Sequence, residues 1–284
     1  MATADSAGGQ ANMRLTSAGV LPISSNIEHR FVHVKIIPGE TLAVAGLRDD
    51  DVPRVRLAAG RAVAALTAIL AFRMQAREPS PWLRKLAWAA FAAVLAQAAL
   101  GGAVVKLVDP KSLAIAHASL AQLCFGLTVA VAVGLAPAAA EAGGADAAGN
   151  SAIPAVAAAA IFAQTILGAA VRHHAIGLAP HIVGAVLAAA LVMWASLGVL
   201  IHHMDDASLR RPAMLLLMLT AGQIFLGFAA YTVRSLAADD PQPMPLTVWT
   251  TLAHVVVGAL AFAAAIALAM RVRGRRECTV DGTL

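Results

Sequence analysis

The sequence predicts an all-α polytopic membrane protein, and three observations carry that prediction. The 284-residue chain is 60% hydrophobic and 13% charged, with a mean hydropathy of +0.75, well outside the balance of a water-soluble domain. Six apolar runs, at residues 86–107, 113–136, 152–171, 180–201, 212–233 and 246–270, each reach the roughly 20 residues a helix needs to cross about 30 Å of hydrocarbon. No Asp or Glu interrupts them, and they are continuous, whereas barrel strands alternate apolar and polar residues, so helices are expected.

In chain order, residues 1–57 come first. They lack the apolar core of a signal peptide, and their charges and the Pro38-Gly39 break argue against a spanning helix, so a poorly ordered or atypical N-terminal region is expected. The run at 60–72, GRAVAALTAILAF, is short but can serve as a seventh span if helped at its ends. Residues 58–136 then form an incomplete N-terminal helical half, and 137–151, PAAAEAGGADAAGNS, read as a linker. A four-helix C-terminal half follows at 152–271, and 272–284 form a basic tail. Cys124 in an apolar run and Cys278 in the tail are not expected to pair.

Net charge is +5, and its placement is informative. One set of connections and the tail hold ten cations: Arg73, Arg77, Arg84, Lys85, Arg210, Arg211, Arg271, Arg273, Arg275 and Arg276. The alternate connections hold four, Lys106, Lys111, Arg172 and Arg234. The positive-inside rule therefore predicts a multi-pass protein of the cytoplasmic (inner) membrane with its C-terminus in the cytoplasm. These cations read as topology determinants and not as a nucleic-acid surface. Trp82, Trp88, Tyr231 and Trp249 fall near the expected membrane boundaries, as aromatic belts do.

A pattern recurs inside the apolar runs. Gln-x-x-Leu-Gly appears as QAALG at 97–101, QTILG at 164–168 and QIFLG at 223–227, and the next helix after each brings a histidine: His117, His181 and His254. Helices thus come in pairs, a Gln helix followed by a His helix, with two complete pairs after the linker and one before it. A fourth pair is missing; where its histidine is expected, Gly60 precedes Arg61.

Ionisable groups inside a bilayer are costly and face a bundle interior. A neutral imidazole is a strong iron ligand, and two from adjacent helices can hold a planar macrocycle within a four-helix bundle. His181 and His254 lie in the same complete half, as bis-histidine ligation of a haem requires, which leaves His117 to the incomplete half. The other reading is that the histidines only bridge helices by hydrogen bonds, as in a transporter-like bundle. Gln97, Gln164 and Gln223 are expected to bridge helices or support an imidazole, and Gly101, Gly168 and Gly227 to allow close backbone approach. His173 and His174, beside Arg172, are expected in a solvated loop with a haem propionate as the other candidate contact. His29, His33, His202 and His203 have no comparable pattern.

These motifs resemble the haem A synthase family over about residues 60 to 271, on the order and spacing of AQAALGGAVV, AHASLAQ, AQTILGAAVRHHAIGLAPHIVGAV, GQIFLGFAAYTVR and AHVVVGAL. The resemblance implies two similar four-helix halves. It places the ligands of a haem b on His181 and His254, and a ligand to the iron of the substrate haem on His117. Of the family's Glu-x-x-His-Arg helix, only Arg61 stands at the matching place. The activity implied is oxidation of the haem O methyl group to the formyl group of haem A for cytochrome oxidase assembly, the alternative being a non-catalytic haem b-binding assembly factor. Haem O, haem O synthase, an electron donor, the lipid bilayer and a second copy of the chain are the implied partners.

Overall fold

The computed structural model describes residues 31–37, 40–45, 51–107, 110–136, 152–237 and 245–281. A short antiparallel pair, β1 (Phe31–Ile37) and β2 (Glu40–Ala45), precedes the helices, with Phe31 opposite Ala45 and Ile37 opposite Glu40. His33 lies in β1, and His29 and the Pro38-Gly39 step lie outside the described residues. Among the described residues seven helices follow: α1 (Asp51–Arg77), α2 (Pro81–Lys106), α3 (Lys111–Gly134), α4 (Ala152–Arg172), α5 (Leu178–His202), α6 (Ala207–Leu236) and α7 (Pro245–Asp281). All seven are long and apolar enough to cross a membrane. Beyond that short β pair, the protein is an all-α polytopic membrane protein.

The main departure from the sequence reading is α1. Residues 60–72 are only the middle of a longer helix, in which Leu57–Arg77 is long and apolar enough to span. Arg61 interrupts the hydropathy of the run without interrupting its helical geometry, and Arg73 and Arg77 lie at the end, where long cationic side chains reach the interface. The expected boundary at residue 57 therefore falls inside a continuous helix.

Short connections make successive helices antiparallel neighbours. In the C-terminal half, α4 packs on α5, α5 on α6, α6 on α7, and α7 back on α4, closing a four-helix ring. In the N-terminal half α1 packs on α2 and α2 on α3, and α3 reaches across to α4 and α7. The joint between the halves is built around Phe262 of α7. Its ring stacks on Phe162 of α4 with centroids 5.6 Å apart, and a Cβ on Gly126 of α3 would lie 2.6 Å from it. Only glycine lets α3 approach that ring.

Both apolar cores sit at one end of the bundle. One gathers Val192, Ala195 and Val199 of α5, Leu209, Ala213 and Leu216 of α6, and Ala265 and Leu268 of α7. The other gathers Ala71 and Met74 of α1, Leu83 and Ala87 of α2, and Val131 of α3. Alanine dominates the contacts, which suits bilayer packing, where small side chains let helices approach. Trp82, Tyr231 and Trp249 are more than half exposed, as belt residues are. Trp88 differs: it lies edge-on to Phe72 of α1 and to Phe91, and its indole N–H donates to Gln75 Oε1 at 3.3 Å, so it ties α1 to α2.

At the same end, α6 contains a proline. Pro212 has no N–H, so the Ser208 carbonyl one turn earlier loses its intrahelical donor. Arg271 of α7 supplies the replacement, its Nη1 donating to the Ser208 carbonyl oxygen at 2.7 Å. Asp206 caps the same helix by accepting from the Ser208 amide at 2.9 Å. Arg271, read from sequence as a topology determinant, is thus also a tie between α6 and α7.

Candidate functional site

The opposite end of the bundle carries the repeated motif. Gln97, Gln164 and Gln223 lie toward the ends of α2, α4 and α6, and His117, His181 and His254 toward the starts of α3, α5 and α7. Each antiparallel pair therefore brings its glutamine and histidine to one level, and in all three they touch. Gln97 Nε2 lies 3.4 Å from His117 Nε2, Gln223 Nε2 lies 3.2 Å from His254 Nε2, and Gln164 Nε2 lies 2.9 Å from His181 Nδ1. Gln164 also donates to the His181 carbonyl oxygen at 2.6 Å. All six side chains are half-buried.

The glycine of each motif, one turn beyond the glutamine, has a different job from the one expected. It admits an imidazole instead of a neighbouring backbone. A Cβ added to Gly101, Gly168 or Gly227 would lie 2.9, 3.1 or 3.0 Å from the Cε1 atom of His117, His181 or His254 respectively. Each ring thus rests in a notch whose floor is the glycine and whose wall is the glutamine.

A reciprocal notch was not anticipated from the sequence. Gly184, one turn after His181, and Gly258, one turn after His254, make room for the amides of Gln164 and Gln223; a Cβ on Gly258 would lie 2.9 Å from Gln223 Nε2, and one on Gly184 would meet Gln164 Oε1. The signal was present in PHIVG and AHVVVG. In the α2–α3 pair the corresponding residue is Ala121, and that pair has the longest glutamine-to-histidine separation of the three.

Polar satisfaction is incomplete in a regular way. Gln97, Gln164 and Gln223 each leave Oε1 buried and unbonded, and His117 and His254 each leave Nδ1 buried and unbonded. Buried orphans of this kind are uncommon in a finished core, and their cost calls for a partner. The four-helix ring then brings two of the notches face to face: the His181 and His254 rings have centroids 6.5 Å apart and planes crossed at 75°. His117 stands in the other half, and among the described residues no second histidine faces it. Nothing within 4 Å of Gly60 would meet an added Cβ.

Above this level the α4–α5 connection, residues 173–177, closes over the helix ends. His174 is exposed in this connection, as expected of a solvated loop, and is held at two points: Lys111 donates to its carbonyl oxygen at 3.3 Å, and Arg234 Nη2 lies 3.3 Å from its Nε2. Its φ of 53° places it in the left-handed region that ends helices, where a non-glycine residue is uncommon. His202 and His203 lie at the opposite end of α5, far from the motif. Among the described residues, no group of three or more His, Cys, Asp or Glu side chains converges to hold a metal ion. Comparison of the chain with protein-family models, with curated proteins and with solved structures finds no match.

Proposed function

We propose that the chain is a membrane haem protein of the haem A synthase type, with a haem b held between His181 and His254. The observation that carries this reading is the facing ring pair. Two imidazoles sharing one iron through bonds of about 2 Å place their centroids about 6 Å apart, and the rings here are 6.5 Å apart. A haem supplies four nitrogen donors itself, so two histidines complete its iron. In each ring one nitrogen lies at its glutamine, and the other, Nε2 on His181 and Nδ1 on His254, makes no contact with it.

Bound there, haem supplies one-electron and oxygen chemistry. The chain's own residues do the rest. His181 and His254 bind, Gln164 and Gln223 support them, and the tight alanine-rich packing at the other end closes the bundle to water. His117, in its own notch, is the proposed ligand for the substrate, haem O, whose methyl group is oxidised to the formyl of haem A. The excess of cations in 73–85, 203–211 and the tail favours the inner membrane with the C-terminus in the cytoplasm.

A second reading keeps the haem and drops the catalysis: a haem b-binding assembly factor. The unmatched His117 favours it, because no partner histidine faces it among the described residues. Two measurements separate the readings. A pyridine haemochrome spectrum of the purified protein reports haem b, and its absence refutes both. Extracted haem from membranes expressing the chain with haem O synthase reports conversion; haem A supports the first reading and unchanged haem O the second.

A further inference from the structure

We propose that the cleft between α1 and α3 is a seat for one membrane-spanning helix of a second protein, an alanine-rich helix of the α4 kind. The C-terminal ring supplies the template. Counted from Gly60 and His181, where the repeat aligns the two helices, α1 and α5 bury the same positions: Thr67, Ala71 and Met74 match Ala188, Val192 and Ala195. α2 then corresponds to α6, and α3 to α7, by the glutamine or histidine each carries. In the ring, α4 packs on both α5 and α7, opposite α6. Among the described residues no element but α2 packs on both α1 and α3, so the fourth place of the N-terminal half is open.

Both walls of that place carry residues whose counterparts are covered by α4. Phe125 follows His117 at the spacing at which Phe262 follows His254. Phe262 is 6% exposed and stacks on Phe162 of α4, whereas Phe125 is 37% exposed and has no ring beside it among the described residues. On the other wall, Val63 follows Gly60 as Gly184 follows His181. A Cβ on Gly184 would lie 2.9 Å from Leu167 of α4, but Val63 is 49% exposed and a Cβ on Gly60 would meet nothing within 4 Å.

Lipid tails can cover Phe125 and Val63, but they do not satisfy Gln122. That residue lies almost one turn before Phe125 on the same face of α3, and its Oε1 is buried with no hydrogen-bond partner. Acyl chains carry no donor, and a neighbouring helix can. α4 has a hydroxyl at the corresponding level, Thr165, almost one turn past Phe162 in a helix that runs the opposite way to α7. The occupant is thereby specified. It runs antiparallel to α1 and α3, with an aromatic ring level with Phe125 and a donor level with Gln122. Opposite Val63 it carries a small residue, because valine leaves no notch for a glutamine such as Gln164. Residues 1–50 contain no uncharged run of about 20 residues and so offer no span to fill the place.

The test uses the full chain in nanodiscs and a synthetic peptide of residues 152–172 carrying Gln164→Ala. Saturable binding is expected, weakened about 10-fold by Phe125→Ala and abolished by Val63→Trp, which fills the seat. Restoring Gln164 in the peptide is expected to weaken binding at least about 5-fold. With both native cysteines replaced by serine, Phe125→Cys is expected to form a disulfide with a peptide carrying Phe162→Cys under mild oxidation. Val105→Cys, on an exposed face of α2, is expected not to. No saturable binding, or equal cross-linking at the two positions, overturns the inference and leaves the cleft to lipid. A disulfide between two Phe125→Cys chains without peptide overturns it in favour of a second copy of this chain. Haem content enters none of these readouts, so the haem reading stands or falls separately.

Discussion

Pro212 and Arg271 form a pair whose energetics can be isolated. The proline removes the amide that would serve the Ser208 carbonyl, and the guanidinium of Arg271 serves it from the next helix at 2.7 Å. A hydrogen bond to a charged donor contributes about 1.5–3 kcal/mol, and an orphaned carbonyl costs about 1–3 kcal/mol. Arg271→Met, which keeps the apolar stem, should therefore destabilise α6 against α7 by about 2 kcal/mol. In a Pro212→Ala background the carbonyl regains an intrahelical N–H, and the same Arg271→Met change should cost less than about 1 kcal/mol, the residue being the loss of an interfacial cation. The coupling between the two sites is then about 1–2 kcal/mol, well above the roughly 0.3–0.5 kcal/mol within which independent sites add. Reversible unfolding of the four proteins in mixed micelles, followed by circular dichroism, measures it. Additivity within that margin would refute the claim that Arg271 completes the helix that Pro212 interrupts.

Further outcomes follow from the site and its frame. His181→Ala or His254→Ala should abolish the low-spin haem absorbance of purified protein, whereas His117→Ala should leave that band in place and reduce only binding or conversion of added haem O. Gly126→Leu places a side chain where even a Cβ would be 2.6 Å from Phe262; overpacking of this kind costs about 1–3 kcal/mol, read as a lowered melting temperature, and Phe262→Ala in the same chain should relieve much of it. Asp206→Ala removes the cap on the Ser208 amide and should lower stability by about 1 kcal/mol with the haem spectrum unchanged. Lys111→Ala combined with Arg234→Ala should release His174 and make the 173–177 connection more sensitive to limited proteolysis in sealed vesicles, at less than about 1 kcal/mol of global stability.

Much of this arrangement was legible because a bilayer simplifies the code. Length and apolarity alone located six spans, since every backbone group must be bonded within its own helix. The Gln–His pairing was legible because antiparallel neighbours with short connections bring the end of one helix beside the start of the next. Other features were hidden for stated reasons. α1 was underestimated because the apolar run stops at Phe72, before Arg73, although a cation near the end of a span does not stop a helix. The bond from Arg271 to Ser208 joins residues 63 apart, and no local pattern encodes it. Gly168 and Gly227 were noticed but assigned to backbone approach, because spacing shows that room is made without showing for what. The hold of Lys111 and Arg234 on His174 depends on three helix ends meeting, which is a property of the assembled bundle.

The repeating element of this fold is a two-helix hairpin carrying half of a site: one imidazole, one glutamine and the glycines that seat them. On the proposed haem reading, a hairpin alone offers a single histidine, and only two hairpins set face to face make a pair. Such a protein obeys a parity rule: an even number of hairpins closes every site, and an odd number leaves one histidine over. Among the described residues the hairpins of this kind are α2–α3, α4–α5 and α6–α7, an odd number, and His117 is the remainder. On that reading an unmatched histidine is also one that an incoming molecule can occupy, so the pairing that leaves His117 over leaves it open to exchange.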